Sequence, residues 1–65
     1  MINSIRELRK ERKITQEELA IALQVTRQTI IAIEGYRYHP SLELGLKIAK
    51  FFGLPVEEIF TIKED

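Results

Sequence analysis

The chain has 65 residues, of which 45% are hydrophobic and 31% charged, with ten basic and ten acidic side chains and no cysteine. This composition is typical of a globular domain, a chain this short has little room for a deep catalytic cleft, and without cysteine it has neither disulfides nor a thiolate zinc site. Because no apolar run approaches the roughly 18 residues of a membrane span and no signal-peptide pattern opens the chain, we expect a soluble, cytoplasmic protein.

Charge is unevenly distributed along the chain although the net charge is zero. Residues 1–40 carry seven Lys or Arg and five Glu, whereas residues 41–65 carry three Lys and five acidic residues. The first part is therefore basic by two charges and the second acidic by two. Scattered surface charge produces such a difference as readily as a basic binding face does, so charge alone does not identify a partner.

Apolar spacing predicts two helices in the first part of the chain. The first spans about residues 3–12 and is indicated by apolar residues at intervals of three: Ile2, Ile5 and Leu8. Thr15 and Glu18 form a capping-box pattern, which begins a second helix that ends near Leu23. The inward positions of this second helix are Leu19, Ala20, Ala22 and Leu23.

Three further helices follow. Thr26 caps a third helix that runs to about Glu34, with Ile30 and Ile33 inward. The fourth helix, about 42–52, begins after Ser41, ends at Gly53, and is expected to bury Leu42, Gly45 or Leu46, Ile48, Ala49 and Phe52. Pro55 begins a short fifth helix through about Phe60, and Thr61-Ile62-Lys63 is compatible with a short extended tail. No internal strand is predicted.

The connection between the second and third helices is only three residues long, Gln24 to Thr26. So short a connection prevents the two helices from lying side by side along their full length. It predicts a sharp crossing, which is the geometry of a helix-turn-helix.

Four motifs occur at a spacing that chance rarely produces: TQEELA at 15–20, LQVTRQTI at 23–30, IE at 33–34 and PSL at 40–42. In these motifs, and from Ile5 to Phe60, the chain resembles the Cro/repressor (Xre) family of helix-turn-helix DNA-binding proteins, in particular its small stand-alone bacterial regulators. The resemblance implies an all-α, five-helix, lambda-repressor-like domain over residues 1–65, with the helix-turn-helix at about 15–35 and a dimerisation region at about 41–65.

The resemblance also implies that the partner is double-stranded DNA, read by the third helix. In helix-turn-helix proteins the second helix of the pair enters the major groove and its N-terminal residues meet base edges. Arg27 can bond guanine bidentately, Gln28 can do the same with adenine, and Thr26 and Thr29 can reach phosphate or base. Ile31 is expected either to contact a thymine methyl group or to be partly buried against the second helix or a partner chain.

Other residues are implied to position the protein on DNA. Gln16 matches the glutamine with which the family anchors the DNA backbone, and Arg37 and Tyr38 are candidates for phosphate contact. Packing of the Tyr38 ring on its loop, with the hydroxyl in water, is an equally good interpretation. Arg9 and Glu34 are implied to form a structural ion pair between the first helix and the end of the third.

The chain departs from the family at three places where a left-handed backbone conformation favours glycine. Lys13 and Gln24 occupy the first two, and at the third Gly35 stands one residue early, so that Tyr36 fills the position. A side chain in that conformation costs about 1–2 kcal/mol. Either the three residues accept this strain, or the loop after the third helix runs differently and its candidate phosphate contacts move.

The last third of the chain is rich in large apolar residues. Excess apolar surface often marks an interface, and the stand-alone relatives implied by the resemblance often pair through this end. We therefore expect a homodimer, while the alternative is that all of these residues complete the core of one chain. The predicted interface residues are Phe51, Leu54, Val56, Ile59, Phe60 and Ile62.

The leading functional prediction is a sequence-specific DNA-binding transcriptional regulator, most simply a repressor that occludes a palindromic operator, with no cofactor, metal or small-molecule ligand. The competing prediction is a protein-interaction module, such as an antitoxin in which DNA binding is secondary, and the zero net charge is its best support. An enzyme is not expected, because the sequence has no carboxylate pair, nucleophile arrangement or glycine-rich phosphate loop.

Overall fold

The computed structural model describes residues 1–62, which form five helices and two short strands. The helices are α1 Ile5–Glu11, α2 Gln16–Leu23, α3 Arg27–Glu34, α4 Leu42–Phe52 and α5 Val56–Ile59, and the strands are β1 Ile2–Asn3 and β2 Phe60–Thr61. The predicted five-helix fold is confirmed, with a small sheet added. No helix in the described part of the chain is long and apolar enough to cross a membrane.

The helix starts follow from the predicted capping residues. Glu18 N donates to Thr15 Oγ1 (3.0 Å) and Thr15 N to Glu18 Oε1 (2.7 Å), so both halves of the capping box before α2 are present. Ser41 Oγ accepts from Leu44 N at 3.2 Å before α4. These contacts satisfy amides that the first turn of a helix leaves without backbone partners.

The prediction that the first helix begins at about residue 3 is wrong. α1 begins at Ile5, because the preceding residues pair with the other end of the chain: β1 and β2 are antiparallel, with Ile2 opposite Thr61 and Asn3 opposite Phe60. Ser4 N also donates to Ile59 O at 3.0 Å. Thr61 of the predicted extended tail lies in β2, whereas Lys63 lies outside the described residues.

The core lies between the helices, and no polar or charged residue of the described chain is fully buried. Its buried residues are Ile5, Leu19, Ala20, Leu23, Ile30, Ile33, Leu44, Ile48, Ala49, Phe52 and Ile59. Two inward predictions are wrong: Ala22 is exposed, and Leu42 is 78% exposed. Of the alternatives Gly45 and Leu46, Gly45 is buried and Leu46 is 53% exposed. The buried stripe of α4 also includes Leu44, because it follows positions 44, 45, 48, 49 and 52, one face at helical spacing.

Among residues 1–62, three residues other than glycine adopt the left-handed conformation: Lys13 (φ 57°) after α1, Gln24 (φ 60°) in the turn after α2, and Tyr36 (φ 63°) after α3. Of the two alternatives left by the sequence, the residues accept the strain. Gly35, at φ −86°, does not use its conformational freedom. The backbone after α3 therefore turns at Tyr36, the position where the family favours glycine.

Candidate nucleic-acid interface

The turn between α2 and α3 sets the direction of α3. Gln24 reverses the chain in its left-handed conformation, and Val25 N then donates to Ala20 O at 3.0 Å. Ile30 and Ile33 fix α3 against the core, since both are buried. The opposite side of α3 and its first turn are left facing outward.

The first turn of α3 combines a closed cap with open side chains. Thr26 Oγ1 accepts from Thr29 N at 3.3 Å and lies 3.1 Å from Thr29 Oγ1, so the two hydroxyls are engaged with one another. Arg27 and Gln28 are exposed, and neither side chain bonds another described residue. Two side chains that can read base edges therefore project from a rigid, capped helix start.

An open depression of about 890 Å³ lies beside α3, bounded by α1 and by the start of α2. We call it the basic groove and define it by five exposed cationic side chains that line it: Arg6, Lys10, Lys13, Arg27 and Arg37. Its half-buried lining includes Ile14 and Ile31. Ile31 thus lies beside Arg27, partly buried yet reachable from the groove.

A hydrogen-bonded network centred on Glu34 lies beneath this groove. Arg9 Nε donates to Glu34 Oε2 at 2.8 Å and its Nη2 to Oε1 at 3.2 Å, and the Arg9 and Glu34 side chains are only 11% and 6% exposed. Arg9 Nη1 also donates to Ile14 O at 3.0 Å. The hydrogen bond to Glu34 raises the pKa of Arg9 above its ordinary value, against the opposing effect of burial.

Gln16 belongs to the same network. Its Nε2 donates to Glu34 Oε1 at 3.1 Å, and the residue is half-buried. One amide hydrogen and the carbonyl oxygen remain for other partners. Gln16 is therefore placed where it connects α2 to α3, and a phosphate contact by this residue would add to that role rather than replace it.

The loop after α3 carries the two remaining candidates. Arg37 N and Tyr38 N both donate to Ala32 O, at 3.0 and 3.3 Å, which holds the backbone of the loop against α3. Arg37 is exposed and lines the basic groove. Tyr38 is also exposed but does not line the groove, so the structure brings only Arg37 together with Arg27.

Most residues of the predicted dimer interface pack against the core of their own chain. Ile59 is 1% exposed and belongs to the core, so its prediction as an interface residue is wrong: α5 is a single turn whose only buried residue is Ile59. Ile62 is 75% exposed. The others are half-buried against the core: Phe51, Leu54, Val56 and Phe60.

Two structural residues near α1 were not predicted. Asn3 Nδ2 donates to Ile33 O at 2.9 Å, which ties β1 to the end of α3. Arg12 donates to Phe51 O (3.1 Å) and Phe52 O (2.6 Å), and its guanidinium lies 5.0 Å from the centre of the Phe52 ring. Their partners are 30 to 40 residues away in sequence, so no local pattern indicates these contacts.

Comparison with known proteins agrees with this geometry. A family model described as helix-turn-helix matches residues 5–59. An uncharacterized HTH-type transcriptional regulator of Methanocaldococcus jannaschii is 52% identical over 65 residues, covering 100% of this chain and 98% of the relative. One of Bacillus subtilis is 45% identical over 65 residues, covering 100% of this chain and 98% of the relative.

A phage protein is similar as well. The cryptic phage CTXphi transcriptional repressor of Vibrio cholerae is 40% identical over 62 residues, covering 95% of this chain and 56% of the relative. The motifs, the helix-turn-helix geometry and the match over most of the length lead to one conclusion. The chain belongs to the helix-turn-helix family of the Cro/repressor (Xre) type, a family of DNA-binding transcriptional regulators.

Proposed function

We propose that this protein is a sequence-specific transcriptional repressor that binds a palindromic operator as a homodimer and reads the major groove with α3. The observation that carries the proposal is the first turn of α3, where Arg27 and Gln28 are exposed and engage no other described residue. The Thr26 cap and the buried Ile30 fix the helix that presents them. A rigid helix with open polar side chains at its start suits direct reading of base edges.

Each side chain of α3 that we propose to read DNA has its own expected base. Arg27 suits the O6 and N7 atoms of guanine, and Gln28 suits the N6 and N7 atoms of adenine. Ile31, beside Arg27 in the basic groove, suits the methyl group of thymine. Thr26 and Thr29 serve chiefly to hold the helix start, since their hydroxyls are engaged with each other.

The distribution of charge in space favours DNA over the competing protein-interaction module. The zero net charge was the best support for that module, but the lining of the basic groove contains six Lys or Arg and two Glu. An excess of four positive charges on one surface of a neutral chain is what phosphate binding requires. The name of the similar Vibrio cholerae phage protein, a transcriptional repressor, supports repression as the outcome.

A homodimer would place two α3 helices on successive turns of the major groove, about 34 Å apart. The apolar surface that remains at the C-terminal end supports this assembly. Ile62 is exposed, Val56 and Phe60 are only half-buried, and the adjoining Met1 and Ile2 are exposed as well. We infer that the two chains meet at α5 and the terminal strands.

The test is selection of bound sequences from a randomised duplex pool at two salt concentrations. We expect an enriched palindrome with half-sites about one helical turn apart, and binding that weakens steeply with salt. Arg27→Ala should relax the preference at one guanine and cost about 1–3 kcal/mol of discrimination. Gln28→Ala should do the same at a different position, at an adenine.

Two results would contradict this proposal. Salt-dependent binding with no enriched sequence would show that Arg27 and Gln28 do not read bases. Absence of retention at low salt would remove DNA as the partner and leave the protein-interaction module. The control variant is Ile21→Ala on α2, whose exposed side chain does not line the groove and should leave the selected sequences unchanged.

A further inference from the structure

The cationic side chains on the α1 side of the basic groove have no role in the proposed reading of bases by α3. Arg6 and Lys10 are four residues apart on α1 and therefore share one face of that helix, and Lys13 lies in the turn that follows it. All three are exposed and line the groove together with Arg27. None of them forms an ion pair with a residue in the part of the chain that is described.

The conformation of Lys13 offers a way to test its contribution separately. Lys13 has a φ of 57°, in the region where a side chain is disfavoured and glycine is not. Gln24 and Tyr36 have the same conformation outside the groove, so the strain does not by itself mark a binding site. Here the disfavoured residue adds a positive charge to the groove that glycine would not supply.

Arg9, by contrast, is not available for an external anion. It also lines the groove, but its guanidinium is occupied by Glu34 and by Ile14 O. Glu34 is thereby neutralised, which leaves Glu17 as the one unneutralised carboxylate among the groove residues that are described. The open side chains of the groove are therefore overwhelmingly cationic.

We propose that Arg6, Lys10 and Lys13 bind the phosphate backbone of the same duplex whose major groove receives α3. This inference rests on the proposed function. A duplex is the occupant that fits, because Arg27 of α3 and the α1 cations line one continuous depression, so a strand beside α3 passes over them. Phosphate contacts of this kind add affinity and salt dependence without base preference.

The experiment compares two charge-matched double variants. Arg6→Gln/Lys10→Gln removes two charges from the groove, and Lys47→Gln/Lys50→Gln removes two from α4, which lines a different depression. Affinity for the selected operator, and for an unrelated duplex, is measured across a salt series. For the groove variant we expect the slope of log affinity against log salt to fall by about 0.9 per lost contact, with the selected sequence unchanged. The α4 variant should keep the slope of the unmodified protein.

Lys13→Gly distinguishes an effect on DNA binding from an effect on folding, because it should weaken the first without harming the second. Glycine relieves the left-handed strain, so the melting temperature should not fall. The salt slope should nevertheless fall by about 0.9 for each bound chain. A variant that is no less stable but binds more weakly cannot be explained by damage to the fold.

The results that would overturn the inference differ from those that would overturn the proposed function. If the unmodified protein selects a sequence but the Arg6/Lys10 variant keeps the slope of the Lys47/Lys50 control, the α1 contacts are absent while the function stands. If the slope falls but the selected sequence also changes, the α1 residues do more than bind phosphate and the inference is wrong as stated. If the unmodified protein binds no duplex, both are overturned.

Discussion

Glu34 shows at the scale of one residue how a carboxylate can hold a binding surface in place. Its two oxygens accept from Arg9 twice and from Gln16 once, so it joins α1, the start of α2 and the end of α3. Because α3 carries the proposed base-reading side chains, the tilt of that helix depends on this network. Under the proposed function, Glu34 would position α3 on DNA through these hydrogen bonds.

Removing the carboxylate should be costly. Glu34→Ala leaves the largely buried Arg9 guanidinium and the Gln16 amide without their acceptor, and we expect a loss of about 3–5 kcal/mol in the free energy of unfolding. The measurement is urea denaturation followed by circular dichroism. The double variant Arg9→Met/Glu34→Leu, which leaves no unpaired charge, should lose less than Glu34→Ala. A loss below about 1 kcal/mol for Glu34→Ala would contradict the argument.

The raised pKa of Arg9 determines how its contribution to stability changes with pH. The pKa of Arg9 is raised in the folded chain, chiefly by its hydrogen bond to Glu34. Its contribution to stability is therefore complete below the ordinary arginine pKa and is lost only as pH rises through the raised value. We therefore expect Arg9 to remain charged, with no loss of stability, at neutral and moderately alkaline pH. The measurement is the Arg9–Glu34 coupling free energy from a double-mutant cycle, which should be the same at both pH values.

At the scale of single elements, left-handed residues follow four of the helices, and at three of them a residue other than glycine carries a cost that can be measured. Gln24 ends α2 at φ 60° with an exposed side chain, and Gly53 ends α4 at φ 69° in open space. The two positions have the same backbone conformation but only one has the residue that suits it. Substitutions at the two sites should therefore change stability in opposite directions.

We expect Gln24→Gly to stabilise the chain by up to about 1 kcal/mol, since relief of strain exceeds the entropy added to the unfolded state. A gain of that size raises the melting temperature of so small a domain by about 4–8 °C. Gly53→Ala should lower it, because a Cβ at φ 69° is strained even where no atom is near. Gln24→Ala serves as the control and should give no gain. Equal effects at both sites would contradict the conformational explanation.

At the scale of the whole molecule, the terminal strands connect the two ends of the chain to α3. Asn3 pairs with Phe60 across the sheet, and its side chain donates to Ile33 O and accepts from Ile5 N at 3.2 Å. The left-handed Tyr36 donates to the same carbonyl of Ile33 at 3.1 Å. The C-terminal end of α3 is thus held both by its own turn and by the N-terminal strand.

Asn3→Ala should destabilise the chain by about 1–2 kcal/mol, because two hydrogen bonds to the backbone are lost. Ser4→Ala is the matched control, since the neighbouring Ser4 side chain makes no capping hydrogen bond to α1. Thermal unfolding of both variants, together with amide exchange at Tyr36, distinguishes them. Equal stability of the two variants would show that the Asn3 contact contributes nothing.

The proposed dimer is a further property of the whole molecule and can be tested by substitutions on its apolar surface. Val56→Glu/Ile62→Glu places charge on the apolar surface of α5 and the end of the chain, and we expect at least a tenfold weaker dimer from the loss of apolar burial, about 25 cal/mol per Å². Sedimentation over a concentration series measures it. Ile21→Glu, on the exposed face of α2, is the control. An unchanged association constant for the double variant would place the dimer interface elsewhere or show that none forms.

The sequence alone determined the number of helices, their caps and the buried face of α3. These depend on local rules: Thr15, Thr26 and Ser41 accept from amides three residues away, and Ile30 and Ile33 are buried by helical spacing. The caps and the buried face need no knowledge of distant residues. The resemblance to the Cro/repressor family pointed to the three left-handed positions, and the structure decided that Lys13, Gln24 and Tyr36 adopt that conformation.

Only the tertiary structure decided which surfaces are shared between distant segments. The spacing of Ile2 and Ile5 contributed to the prediction of a first helix from about residue 3, but pairing with β2 makes Ile2 and Asn3 a strand. Leu42 and Ala22 fit apolar patterns yet face outward, since the packing of one helix on another selects the buried stripe. The same holds for the basic groove, whose cations are up to 31 residues apart, from Arg6 to Arg37, and meet only when α1 packs beside α3.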